Sequence, residues 1–140
     1  MSDKRRLARL KRLEAVRAVA RQAAAAEAAA AEGTLAQLIA LAERTGRIAA
    51  DYAVRTAPDS GDALRRLTGF RAGLAGVEQA TRADAARARG VADAKLHELS
   101  QAERRRQAAA DRAEAVRKAL AALGATPPMG ARKPLGTDLD

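Results

Sequence analysis

Thr56-Ala57-Pro58-Asp59-Ser60-Gly61 is the stretch that decides the fold of this chain. Pro58 disfavours helical backbone at Ala57, and Asp59 or Ser60 can cap a new helix by accepting a backbone N–H bond. The six residues therefore read as a tight connection, with the turn at about 56–60. A connection of about five residues forces neighbouring helices to lie antiparallel.

Working outward, the apolar period is helical on both sides of this break. Before it, Leu35, Leu38, Ala42, Thr45, Ala49 and Tyr52 alternate three and four residues apart, and Leu7, Leu10, Leu13 and Val16 form an earlier stripe. After it, Leu67, Phe70, Leu74 and Val77 begin the rhythm. Leu99, Ala102, Arg106, Ala109, Ala113, Val116, Leu120 and Leu123 continue it. The spacing predicts an all-α chain, a long antiparallel two-helix coiled-coil hairpin. Helix one runs from about residue 3 to 55 and helix two from about 61 to 123, roughly 80 and 95 Å at 1.5 Å per residue. Gly124 and Thr126-Pro127-Pro128-Met129-Gly130 stop the second helix, which leaves 124–140 as a disordered tail. Gly33, Gly46, Gly69, Gly73, Gly76 and Gly90 each cost about 1 kcal/mol relative to alanine, and bending or fraying is expected there.

Composition agrees with a coiled coil and excludes a layered globule. Forty of the 140 residues are alanine, and 27 larger apolar side chains remain from the 48% apolar fraction. Only Tyr52 and Phe70 are aromatic. An alanine seam brings backbones close but buries little area at about 25 cal/mol per Å², so helix propensity carries much of the stability. There is no cysteine and His97 is the single histidine, which excludes disulfides, thiolate metal sites and imidazole clusters. No stretch approaches the roughly 18 apolar residues needed to span a bilayer, and no leucine-rich signal core follows the basic start. The expectation is a cytoplasmic protein without membrane insertion.

Charge is segregated. Pairing the helices about the turn places residue i beside about residue 117 minus i. On that register the end holding both termini, residues 1–21 with 96–123, carries fourteen bases and six acids, +8 of the chain's +9. An acidic protein, a nucleic acid or an anionic membrane could answer such a charge. Acids interrupt the bases, the basic end has no aromatic residue for stacking and no zinc-finger spacing occurs, so specific nucleic-acid binding is not expected. The leucine stripe lacks aromatic membrane anchors. A protein partner fits best.

Enzymatic groups are missing. The glycines are scattered singly rather than grouped in a phosphate loop before a lysine. His97 has no serine or cysteine nucleophile at helical spacing, and Asp111 and Glu114 share a solvated face with no pocket to raise a carboxyl pKa. No catalytic, cofactor-binding or metal-binding residue is expected. Tyr52 and Phe70 stand out differently. Flanking the turn with Ile48, Leu67, Leu74 and Val77, they either lock the closed end of the hairpin or form a docking patch beside Gly69, Gly73 and Gly76.

Several stretches together carry a family likeness. They are the basic leucine start Arg5-Arg6-Leu7-Ala8-Arg9-Leu10-Lys11-Arg12-Leu13, the central turn, Leu67-Thr68-Gly69-Phe70-Arg71-Ala72-Gly73-Leu74, and Glu103-Arg104-Arg105-Arg106 leading to Val116-Arg117-Lys118-Ala119-Leu120. Over about residues 4 to 123 the chain resembles the FliJ family, the small coiled-coil proteins of the flagellar type III export apparatus, and its YscO-type relatives in injectisomes. The resemblance implies a non-enzymatic stalk without a cofactor. The end holding both termini would enter the pore of the hexameric export ATPase, while the hairpin region would contact the export gate's platform protein and export chaperones at the cytoplasmic face of the inner membrane. Carried over by position, Arg5, Arg9, Arg12, Arg104 and Arg105 would face the ATPase. Phe70 and Leu74, with Tyr52 and Val77, would contact the gate. The alternative is a basic nucleic-acid-associated or scaffolding coiled coil.

Overall fold

The structure, a computed structural model, describes residues 2–54 and 60–125. It has two elements, α1 (Ser2–Val54) and α2 (Gly61–Ala125), packed against each other as a helical hairpin. Arg55, residues 56–59 of the expected turn at about 56–60, and residues 126–140 of the expected tail at 124–140 lie outside the described residues. Where α2 begins, Ser60 is the cap: the Ala63 N–H donates to Ser60 Oγ at 3.1 Å and the Leu64 N–H to its carbonyl at 3.0 Å. Asp62 adds a carboxylate to the first turn, where the helix dipole favours it. At the other end the expected stop at Gly124 is corrected. No described glycine takes a positive φ, so Gly124 does not act as a left-handed cap and α2 continues to Ala125. Helix also runs without interruption through the six internal glycines.

Two units divide the hairpin, one of residues 20–102 and one whose described residues are 2–19 and 103–125. In the first, the expected seam residues Leu35, Ala42 and Thr45 are buried, and Leu38, Ala49 and Tyr52 are half-buried. From α2, Thr81 and Ala92 are buried among half-buried Leu67, Leu74, Ala85, Ala88 and Leu99. Two threonines can sit in this seam because their hydroxyls are satisfied within their own helix. Thr45 Oγ1 donates to the Leu41 carbonyl at 2.9 Å and Thr81 Oγ1 to that of Val77 at 2.7 Å, so burial leaves no orphaned polar atom.

Facing pairs in this unit correct the register. Tyr52 packs against Phe70 and Glu27 meets Lys95, pairs whose numbers each total 122. Gly46 lies against Glu78, a total of 124. The expectation of about 117 placed the axis midway through the break. The observed axis lies near residue 61, so Val54 stands at the level of about residue 68 and the first two turns of α2 extend past the end of α1. The difference is about one and a half helical turns. A cysteine pair at Ala31 and Ala92 is accordingly expected to oxidise to a disulfide within one chain, whereas a pair at Ala31 and Ala86, the partner from the 117 register, is not. The chain has no native cysteine to confuse the reading on a non-reducing gel.

Lys95 is a charged residue in this alanine seam. Its Nζ donates to Glu27 Oε2 across the helices at 3.2 Å and to Glu98 Oε2 along its own helix at 3.4 Å. The Glu27 hydrogen bond, followed by that of Glu98, raises its pKa above the ordinary lysine value. A raised folded-state pKa contributes stability below the unfolded value, and that contribution is lost as pH rises through the folded one. Thermal melting should therefore fall above about pH 10.4, and Lys95→Met should flatten that alkaline limb.

In the second unit, Ala109 and Ala113 are buried and Leu7, Leu10, Leu13, Val116 and Leu120 half-buried. Val16, expected in the leucine stripe, is 63% exposed. The reason is geometric. Three-residue steps each fall about 60° short of a full turn, so Val16 lies about 180° round the helix from Leu7. The half-buried positions pass instead to Glu14 and Arg17.

Candidate functional site

The five arginines singled out by sequence are all exposed, and all belong to the second unit. The structure separates them into three groups. Arg5, Arg9 and Arg12 recur every three or four residues and line one shallow concavity on α1 with Ser2 and Ala8. Arg105 lines the groove between the helices, together with Leu13, Arg17, Ala108, Ala109 and Arg112. Arg104, next in sequence to Arg105, lines neither surface, because adjacent helical positions point about 100° apart.

Sequence reasoning missed Arg17 and Arg112. The 117 register set Arg17 beside Ser100, whereas here it shares a groove with Arg105 and Arg112. The heptad from Arg105 to Arg112, which keeps those two on one side of α2, is the signal that could have found Arg112; Arg17 joins them only through the register of the two helices.

The opposite groove of the same unit is mixed in charge. It is lined by Lys11, Glu14, Ala110, Asp111, Ala113, Glu114 and Arg117, and its charges are largely matched. Arg117 donates from Nε and Nη2 to the two oxygens of Glu114 at 2.9 and 2.6 Å, and this hydrogen-bonded contact holds the Glu114 carboxyl below the ordinary carboxylate range. Arg106 likewise forks onto Glu103 at 3.1 and 2.7 Å. By contrast, no carboxylate among the described residues forms an ion pair with Arg17, Arg105 or Arg112. Glu14, Asp111 and Glu114 thus line one groove, and the unmatched Arg17, Arg105 and Arg112 line the other.

The aromatic surface belongs to the first unit. Tyr52 and Phe70 have ring centroids 4.7 Å apart at 58°, a tilted contact. Arg71 Nη2 donates to the Tyr52 carbonyl at 2.7 Å, tying the last turn of α1 to α2. Phe70 nevertheless remains 45% exposed, so it both closes the hairpin and presents a face to solvent. Leu74 is half-buried in the seam. Val77 was expected to keep the seam rhythm and does not: it is 51% exposed, and Glu78 occupies the seam. The seam steps Leu74, Glu78, Thr81, which turns Val77 about 100° outward beside Phe70. The four residues therefore split into a seam pair, Tyr52 and Leu74, and an outward pair, Phe70 and Val77.

Among the described residues, no group of three or more His, Cys, Asp or Glu could hold a metal ion, and no helix is long and apolar enough to cross a membrane. His97 is exposed, with its Nε2 3.2 Å from Gln101 Nε2. No protein-family model matches the chain, and no curated protein or solved structure is detectably similar to it.

Proposed function

We propose that the chain is a non-enzymatic stalk of a flagellar-type protein export apparatus, which promotes assembly of the hexameric export ATPase and couples it to the export gate and chaperones. The observation that carries this reading is the set of unmatched arginines on the second unit: Arg5, Arg9 and Arg12 on one concavity and Arg105 in a groove between the helices. Exposed charges of one sign steer association and select an oppositely charged partner. They add little to the fold. A coiled-coil hairpin that touches several subunits of a ring can favour the assembled ring even when each contact is weak. Peripheral association with the inner membrane would then come through the apparatus, not through a spanning helix of this chain.

Two experiments test the reading. The full chain, tagged in cells and copurified with mass spectrometry, should bring down an export ATPase, and in vitro it should raise that enzyme's turnover. Absence of any export component from the eluate, together with unchanged ATPase turnover, overturns the proposal. Tight DNA binding with a steep salt slope would instead favour the basic nucleic-acid-associated alternative.

The gate contact is assigned to the outward pair. Phe70→Ala with Val77→Ala should abolish capture of the gate's platform protein while ATPase stimulation survives. Leu74→Ala should chiefly lower the melting temperature. Retained gate capture in the Phe70/Val77 double variant removes these residues from the contact.

A further inference from the structure

The groove formed by Leu13, Arg17, Arg105, Ala108, Ala109 and Arg112 holds three guanidinium groups and no carboxylate, while the other groove of the same unit holds Glu14, Asp111 and Glu114. Three like charges around one groove repel each other unless an anion enters. Between them the floor is apolar, with Ala108 exposed and Leu13 half-buried over the buried Ala109. Arg105 and Arg112 are one heptad apart, about 10.5 Å along α2 at 1.5 Å per residue, and Arg17 joins them from α1.

We propose that this groove seats an acidic amphipathic helix of a partner protein. Its carboxylates at heptad spacing pair with Arg105 and Arg112, a further carboxylate meets Arg17, and its small apolar face lies on Leu13 and Ala108. Arginine suits such a site because its planar fork takes a carboxylate through two parallel hydrogen bonds. A helix uses both features of the groove, the heptad of charge and the apolar floor. A nucleic-acid backbone uses the charge alone, and no aromatic residue is present to stack a base. The inference deepens the stalk reading by giving the partner chemistry of its basic surface, and it relies on that reading only for naming the partner as an export ATPase.

The test uses the full chain and three probes: a labelled alanine-rich 21-residue helix with glutamates at heptad spacing beside a leucine stripe, a scrambled peptide of the same composition, and a DNA duplex. Binding is read by anisotropy. The patterned peptide should bind at least tenfold tighter than the scrambled one. Arg17→Glu with Arg112→Glu should weaken it at least tenfold, whereas Lys11→Glu with Arg117→Glu, the same change in net charge on the opposite groove, should weaken it less than threefold. If the first double variant loses helicity, Arg105→Gln with Arg112→Gln should still weaken binding at least fivefold. Equal losses from both grooves, no preference for the patterned peptide, or tighter binding to the duplex overturns the proposal. The two readings fail separately. Peptide binding at this groove without any effect on an export ATPase removes the stalk and keeps the groove, while ATPase stimulation undiminished in the groove variants does the reverse.

Discussion

Replacing Ala92 by leucine is expected to destabilise the hairpin by about 1–3 kcal/mol, the usual cost of forcing methylenes into a closed packing site. Ala92 is 1% exposed, the most buried residue of the seam, so its methyl is enclosed by the packing of the two helices. No large side chain of the described residues is fully buried, so the helices are held by many small contacts and a local separation is not offset by a deep core nearby. For a chain of this length the loss corresponds to a fall of roughly 4–12 °C in melting temperature. Ala94→Leu, two residues away on an exposed face, is the control and should leave the melting temperature within about 2 °C, since exposed substitutions stay within about 0.5 kcal/mol. A stabilised Ala92→Leu chain would mean that the seam has room for a leucine layer and that alanine there does not set the helix separation.

The second large effect concerns association. Reversing Arg9, Arg12, Arg104 and Arg105 to glutamate removes two charges at each site and takes the chain from +9 to +1. All four side chains are exposed, so helicity and melting temperature should change little. Binding to an acidic partner, and stimulation of an export ATPase if that is the partner, should fall by about two orders of magnitude at low salt. The loss should shrink at 0.5 M salt, where the Debye length is only a few Å. An effect of equal size at low and high salt would point to lost packing instead of lost steering. Restoring Arg105 alone should recover more binding than restoring Arg104 alone, because Arg105 lines the basic groove and Arg104 lines neither surface.

Much of this molecule could be read before any coordinates. Pro58 and Ser60 place the break, and the alternation from Leu35 to Tyr52 and from Leu99 to Leu120 marks residues that α1 and α2 bury or half-bury, although Leu123, expected to end that run, is 67% exposed. Periodicity and capping are local properties. They depend on residues three or four apart, so the chain carries them in its own order. The segregation of charge toward the termini is equally a matter of counting. The expected position of Val77 failed because a one-residue offset in the heptad at Glu78 is not visible from the apolar residues alone. Val16 failed because a run of three-residue steps winds off the seam.

Register was decided by the tertiary structure. The sequence states that the helices turn back, but sliding one helix along the other by one and a half turns leaves each helix's own hydrogen bonds and propensities unchanged. The choice is made by contacts between residues far apart in the chain: the Tyr52–Phe70 ring contact, the Arg71 bond to the Tyr52 carbonyl and the Lys95–Glu27 pair. The same holds for the candidate site, where composition supplies the arginines but only packing between α1 and α2 places Arg17 in a groove with Arg105 and Arg112 and collects Glu14, Asp111 and Glu114 in the other. An alanine-rich seam offers little shape to prefer one alignment over its neighbours, so a few large or charged side chains set the alignment, and with it the surface that meets a partner.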